Sequence, residues 1–350
     1  MPKKNTVPNE LGYSMPAEWE SHSATWLAWP HNLLTWPERI EKLEENFIEI
    51  IKALHTGEKI NILVNDKKTL EKVQKKLSQE EIDTSKIFIY TIKTGDAWIR
   101  DYGPNFLINR KQKTAAINDW NFNAWGNKYE HSEKDEDIPK KINKLFNMKL
   151  FSPGIILEGG SIDVNGKGSL LTTKQCLLNK NRNPHLSQEE IENYLKNYLG
   201  VSNIIWLNKG IEGDDTDGHV DDIARFINEN TILCAYEENP SDTNFSTLDE
   251  NYTLLKSTNS EQGKKFNIIK LPMPEPIFAE GMRLPASYAN FYIGNKAVLV
   301  PIFDQKTDKK ALGILQELFS DRKIIGINCT DMVYGHGAIH CLTQQEPMMY

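Results

Sequence analysis

Residues 161–207, SIDVNGKGSLLTTKQCLLNKNRNPHLSQEEIENYLKNYLGVSNIIWL, decide the fold class. Residues 161–164 and 169–173 are short β-type runs on either side of Asn165-Gly166, a pair that predicts a tight hairpin turn. Ser187 stands three residues before Glu190, the pattern of a capping box, and opens a helix that reaches Leu199. Residues 204–207 are apolar again and read as the strand after that helix. One hairpin and one helical crossover thus share a single stretch of chain.

The same grammar extends in both directions. Upstream, Ile40, Leu43, Phe47, Ile50, Ile51 and Leu54 recur at helical spacing. Thr35 or Trp36 precedes them, Pro37 lies near the first turn and Gly57 beyond the end, which predicts a helix. Residues 59–64 and 87–92 read as strands, with a helix over 66–77 whose Leu70, Val73 and Leu77 share one face. Strands follow at 106–108 and 113–117, then a short helix at 138–146. Downstream, strands are predicted at 231–236, 266–271, 291–293 and 297–301, with Gly294-Asn295 as a hairpin corner. A helix over 308–319 and a strand over 323–327 close the pattern. End-to-end alternation of this kind signals an α/β fold. Hairpins are as frequent as crossovers, so mixed sheets are expected, in units of two or three strands plus a helix recurring every roughly 60–80 residues. No GxGxxG follows a strand and no GxxxxGK[ST] occurs, which excludes the common dinucleotide and P-loop readings.

Composition bounds the function. The chain has 350 residues, 39% of them hydrophobic, with 41 Lys+Arg against 48 Asp+Glu for a net charge of −7. That is a folded globular protein, either two units or one large α/β domain. The acidic balance argues against nucleic acid, whose phosphates need a basic face. No run reaches the ~18 apolar residues of a membrane helix. The opening MPKKNTVPNELGYSMP lacks an apolar centre, so no secretory leader and a cytoplasmic location are expected. Four widely spaced cysteines without a CxxC pattern predict reduced thiols, with Cys176, Cys234 and Cys329 in apolar runs as core.

Polar residues crowd into four segments. Residues 95–104, GDAWIRDYGP, place Asp96 and Asp101 beside Trp98 in a turn. The carboxylates can hold a cation and the indole can cover its flat face, while Arg100 is expected to order the loop through an ion pair. Residues 212–222, EGDDTDGHVDD, hold six acids and His219. Such crowding is costly unless a cation or ordered donors offset it. An extended His219-Val220-Asp221 would point the base and a carboxylate to one side. A solvated loop, a divalent ion and an organic cation compete there, and the spacing does not match an EF-hand. Residues 334–345, YGHGAIHCLTQQ, offer Cys341 as a nucleophile with His219 as its base. Zinc held by His219, His336, His340 and Cys341 is disfavoured because adjacent residues of a strand face opposite ways. Glu158, followed by two glycines in LEGGS, aims one more carboxylate at the end of an apolar strand. His22, His31, His55 and His185 have no such neighbours.

These motifs, in this order, resemble the agmatine/bacterial peptidyl-arginine deiminase family of the guanidino-group-modifying penteins. The strings that carry the resemblance are MPAEWESHSATWLAWP, DAWIRDYGP, DWNFNAWG, LEGGSIDVNGKGSLLTTKQCLLNKNRNP, DDTDGHVDD, RLPASYANFYIGN and GAIHCLTQQEP, which run from residue 15 to residue 347. The resemblance implies a single catalytic domain over 1–350, a five-bladed α/β propeller. It implies Cys341 as nucleophile, His219 as acid/base, Asp101 and Asp221 as guanidinium-binding carboxylates, and Glu158 on the histidine side. It implies Trp98 as a wall of the substrate channel and Asp215, with Asp96, as substrate contacts. Gly337 and Ala338 would be the backbone beside the substrate. Three departures stand out: GHGAIHC for the usual GGGNIHC, DDTDGH for the commoner DETxGH, and RLPASYANFY for RLAASYVNFY.

The implied reaction is hydrolysis of agmatine to N-carbamoylputrescine and ammonia through a covalent thiouronium on Cys341, with no metal or organic cofactor. Deimination of another guanidine such as peptidyl-arginine is the alternative within the class, and a silent guanidine-binding protein is the alternative outside it. The implied partners are a small cationic guanidine and copies of the same chain in a homodimer or higher oligomer.

Overall fold

Every predicted strand has a counterpart except the apolar run before Glu158, where only an isolated bridge joins Ile156 to Asn121, and the strands assemble into five sheets on one repeated plan plus a small hairpin. The computed structural model describes residues 6–80, 82–130 and 133–349. Residues 1–5, part of the opening stretch read for a leader, lie outside the described residues. Strands β1 (His22–Ala28), β2 (Lys59–Val64) and β3 (Ile87–Thr91) run parallel, and the helices Ile40–Leu54 and Lys67–Ser78 make the crossovers.

The next unit sets the plan for the others. β4 (Asn105–Asn109) pairs antiparallel with β5 (Thr114–Asn118), and β5 pairs parallel with β6 (Lys149–Phe151) across the helix Ile138–Phe146. The same order recurs in β7 (Asp163–Val164), β8 (Ser169–Thr173) and β9 (Asn203–Leu207), with the helix Gln188–Leu199. It recurs in β10 (Ala224–Asn228), β11 (Thr231–Tyr236) and β12 (Asn267–Pro272), with the helix Phe245–Ser257. β13 (Phe278–Ala279) and β14 (Met282–Arg283) form the extra hairpin. The plan returns in β15 (Tyr292–Ile293), β16 (Ala297–Ile302) and β17 (Lys323–Asn328), with the helix Lys306–Leu318. Last, β18 (Thr343–Pro347) lies antiparallel on β1. The end of the chain therefore completes the first sheet, and Trp26 Nε1 donates to Glu346 Oε2 across the seam at 2.8 Å. Five sheets of this kind are the five blades that the resemblance implies.

Local chemistry explains the elements. The helix Ile40–Leu54 buries Leu43, Phe47, Ile50, Ile51 and Leu54 along one stripe, each worth about 2 kcal/mol of apolar burial. The Ser187–Glu190 capping box is formed, and Gly200 ends that helix at φ +67°, a left-handed position that suits glycine. The helix Phe245–Ser257 buries Leu248 and Leu255 together with a polar residue, Asn251, on its packed face. Its side chain there accepts from Asn208 N and donates to the Lys209 carbonyl. The turn at Asn165-Gly166 departs from expectation. Asn165 pairs with Ser169, leaving Gly166, Lys167 and Gly168 as the loop, and the Asn165 side chain accepts from the Lys167 and Ser169 amides.

One feature of this plan positions the site. The first strand of each blade (β4, β7, β10, β15 and β18) is preceded by a short turn. Three of these turns are helical, at Ile99–Tyr102, Gly159–Ser161 and Val220–Asp222.

Candidate active site

The helical turns meet at Gly160. A Cβ there would stand 2.6 Å from His219 Nδ1, 2.9 Å from Asp101 Oδ1 and 3.0 Å from Asp221 Oδ2. Only a glycine leaves room for the convergence, and its amide also donates to Asp101 Oδ1 at 2.9 Å. Gly159 is equally constrained, since a Cβ would lie 2.1 Å from the Arg100 carbonyl.

A cavity of about 1010 Å³ opens over this point, and its lining includes Asp96, Trp98, Asp101, Trp125, Asp215 and Cys341. Behind these, His219, Asp221 and Glu158 are essentially sealed. Cys341 Sγ lies 3.8 Å from Asp221 Oδ2, and His219 Nδ1 lies 3.7 Å from Asp101 Oδ1. Trp125 Nε1 donates to the other Asp101 oxygen at 2.8 Å. Gly337 separates the thiol from the indole: a Cβ there would stand 2.6 Å from the Trp98 ring and 3.2 Å from Cys341 Cβ.

Charge in this space is strongly perturbed. Burial pushes Asp101 up to about 6, with Asp221 and Glu158 adding to the rise and His219 and Trp125 opposing it. Burial opposes a charge on His219, yet Asp101, Cys176 and Asp221 outweigh it and hold the imidazole well above its ordinary value. Burial also raises the Cys341 thiol far above the normal range, followed by Asp221, Asp222 and Asp101, while the Ala338 amide pulls the other way. A guanidinium arriving among these groups would supply the missing positive charge.

The site thus sets a thiol and a carboxylate in the cavity wall, with an imidazole and a second carboxylate sealed behind them. Residues 14–347 match the family described as Porphyromonas-type peptidyl-arginine deiminase. A Legionella pneumophila relative is 40% identical over 347 residues, covering 98% of this chain and 97% of its own. The chain belongs to the agmatine/peptidyl-arginine deiminase family. It is similar in structure to the agmatine deiminase of Enterococcus faecalis, with a TM-score of 0.92, 33% identity and 99% of each chain covered. It is also similar to a C. jejuni agmatine deiminase solved with substrate bound, with a TM-score of 0.87 and 33% identity over 96% of this chain and 97% of that one. These likenesses carry the pentein fold.

Against this deiminase-family frame, several expectations need correction. His219-Val220-Asp221 is not extended: His219 leads into the helical turn Val220–Asp222, and the turn rather than a pleat brings both side chains to Gly160. His340 and Cys341 precede β18 and so are not held on opposite faces; both reach Asp221 Oδ2. His336 and His340 are engaged by other partners. His340 lies between Asp221 and Glu18, and His336 Nδ1 faces the Gly213 carbonyl at 3.3 Å and Asp215 Oδ2 at 3.8 Å. Among the described residues, the group whose possible metal-ligand atoms lie within 4.8 Å of one another is instead Glu158, Cys176 and His219. Cys176 is buried as predicted, but against the site's imidazole rather than in plain hydrocarbon.

The acidic segments also divide their work. Asp214 holds the loop by accepting from the Thr216, Gly218 and His219 amides. Asp217 pairs with Lys128 and Arg182. Asp215 faces the cavity and accepts from Tyr129 Oη. Asp96 lines the cavity too, although Asn32, Thr35 and the Ala97 amide already donate to it. Glu158 does not line the cavity. Its Oε1 accepts from Arg182 Nε at 2.6 Å, on the histidine side. Arg100 orders its loop as expected, through Glu18, Gln345 and the His340 carbonyl. His22 has a structural setting after all, between Glu58 and the Glu18 carbonyl.

Residues to which sequence reasoning gave no role at this site are Trp125, Arg182, Asn290 and His340, which touch site side chains, and Glu18, which reaches the site through His340. All five stand inside strings that carry the resemblance, Glu18 in MPAEWESHSATWLAWP, Trp125 in DWNFNAWG, Arg182 in NKNRNP, Asn290 in RLPASYANFYIGN and His340 in GAIHCLTQQEP, but nothing in those strings gives them a role at the site.

Proposed function

We propose that this chain is an agmatine deiminase, one catalytic domain that hydrolyses agmatine to N-carbamoylputrescine and ammonia in the cytoplasm. The observation that carries the reading is the convergence of His219, Asp101 and Asp221 on Gly160, with Cys341 Sγ 3.8 Å from Asp221 Oδ2. Support for agmatine comes from the relatives named above and from the cavity wall. Beyond the thiol that wall carries Asp96, Glu130, Asp135 and Asp215 against two lysines, Lys134 and Lys128, the latter engaged by Asp217. An amine tail suits such a wall better than a free carboxylate does.

The guanidinium enters as a planar cation with forked donors. Asp101 and Asp221 accept its N–H bonds and fix the plane, as charge-assisted pairs do. Trp98 and the Gly337–Ala338 backbone bound the space beside the sulfur, and Asp215 takes the distal amine. Cys341 as thiolate attacks the guanidinium carbon and forms a tetrahedral adduct. His219 gives a proton to the departing nitrogen, the C–N bond breaks, and ammonia leaves a thiouronium. The same imidazole, now neutral, takes a proton from water as it adds to that carbon. Collapse breaks the C–S bond and returns the ureido product and the thiolate. Glu158 stands behind His219 and favours its charged form.

Ammonia release should be assayed with agmatine, free arginine and a peptidyl-arginine, with Cys341→Ala as control. Agmatine is the expected substrate, and ammonia falls to background in the variant. Preference for the peptide would overturn the substrate assignment, and ammonia release by Cys341→Ala would overturn the mechanism.

A further inference from the structure

Every blade places the turn before its first strand at the site, and four of the five turns supply residues already assigned. Asp101 precedes β4, Glu158 and Gly160 precede β7, His219 and Asp221 precede β10, and Cys341 precedes β18. The remaining turn precedes β15 and presents Asn290, which is fully buried.

The orientation of the Asn290 amide is fixed by its neighbours. Its Oδ1 accepts from the His340 backbone N–H at 2.9 Å, and that group can only donate. Its main-chain carbonyl accepts from the same N–H at 3.2 Å, so backbone and side chain are locked together. The Nδ2 hydrogens are therefore turned the other way. One goes to Cys341 Sγ at 3.2 Å and the other to Asp222 Oδ1 at 3.0 Å.

We propose that Asn290 is a catalytic residue of this reaction, the fixed neutral donor that stabilises the Cys341 thiolate. The proposal rests on the deiminase reading above. The sulfur otherwise faces Asp221 at 3.8 Å and is itself largely buried, so a negative sulfur needs hydrogens aimed at it. The Ala338 amide is one such donor and Asn290 is the second. A lysine or arginine there would also favour thiolate, but it would repel the guanidinium a few ångströms away. An amide stabilises the sulfur without that conflict. Burial first, and then Asp221, raise the Asp222 carboxyl that takes the second Asn290 hydrogen.

The test follows Cys341 alkylation by iodoacetamide against pH, read on the Cys341 peptide by mass spectrometry, in the wild type, Asn290→Ala and Asn290→Asp. This readout does not depend on which guanidine is the substrate. Loss of one hydrogen bond to a charged group should move the alkylation midpoint of Asn290→Ala upward by about 1–2 pH units. Its kcat at pH 7 should fall about 10- to 100-fold. Agmatine binding, compared by calorimetry in Cys341→Ala with and without Asn290→Ala, should change less than threefold, which a general collapse would not allow. Asn290→Asp keeps the acceptor for the His340 amide and nearly the same shape but offers the sulfur no N–H. Its midpoint should rise at least as far, and it carries the test if the alanine variant does not fold. An alkylation midpoint within 0.3 pH units or so of wild type in a folded variant would overturn the proposal.

Discussion

His340 and Asp221 are joined by a 2.6 Å hydrogen bond, Nδ1 to Oδ2, across 119 positions of chain. The other ring nitrogen of His340 meets Glu18 Oε2 at 2.8 Å. Each ring nitrogen of His340 thus faces a buried carboxylate. Burial by itself would raise the Asp221 carboxyl, but the His340 bond and charge, with His219 and Arg225, bring it below its ordinary value. A buried imidazole thus keeps one guanidinium-binding carboxylate ionised without occupying the face turned to the substrate.

Replacing His340 with Gln should therefore weaken substrate capture. Hydrogen bonds to charged groups are worth about 1.5–3 kcal/mol, so kcat/KM at pH 7 should fall at least about tenfold. The loss should be smaller at pH 9, where Asp221 ionises without help. A pH-independent defect would show that His340 matters only for folding.

Asp101 sets the acid limb of the reaction. Its pKa of about 6 means that the carboxylate is lost as pH falls through that value. kcat/KM should decline about tenfold per pH unit below it. Trp125→Phe removes a donor to Asp101 Oδ2, which shifts the limb to higher pH. A profile flat from pH 5 to 7, or a limb unmoved by Trp125→Phe, would contradict this.

The resting enzyme should hold Cys341 as thiol, because burial and three aspartates raise it. A bound guanidinium should lower the alkylation midpoint by at least 1 unit or so. Titrating alkylation with and without an unreactive guanidinium measures the shift, and equal midpoints would count against substrate-assisted ionisation.

Gly160→Ala puts a methyl group within 2.6 Å of His219 Nδ1. Overpacking of this kind costs about 1–3 kcal/mol, so the protein should still fold. It should lose turnover about 100-fold or more, since small misplacements of catalytic groups have that effect. Near-normal kcat in the folded variant would mean that the convergence is not catalytic.

Glu18 answers to stability more than to chemistry. It accepts from Arg225, Arg100, His340 and the Ile293 amide. Burial alone would raise it, but Arg225, His340 and Arg100 hold it well below its ordinary value. A depressed carboxyl stabilises the fold above its unfolded pKa, and that contribution is lost as pH falls through the folded value. Glu18→Gln leaves two buried guanidinium groups short of a partner, which costs about 3–5 kcal/mol. Urea unfolding at pH 7 should show that gap, and it should narrow in strong acid. A variant as stable as wild type at pH 7 would dismiss the role.

Much of this was written in short-range patterns. The capping box at Ser187, the strands of residues 59–64 and 231–236, and the alternation of hairpin and crossover depend on neighbours a few residues apart. The catalytic types stood out because crowded acids around one histidine, or a cysteine amid glycines, are costly without a function. Asn290 and Glu18 gave no such signal: a lone asparagine or glutamate is ordinary in any sequence, and each acquires meaning only from partners far along the chain.

Residue order alone determined the α/β modules, their mixed sheets and, through its motifs, the thiol, imidazole and carboxylates of a deiminase. Only the tertiary structure decided that β18 completes the first blade, that three turns share the space left by Gly160, and that His340, Asn290 and Cys176 stand against the reacting groups. The reason is physical: local propensity acts over a few residues, whereas burial, ion pairing and the room beside a glycine are set by segments that meet only when the sheets pack.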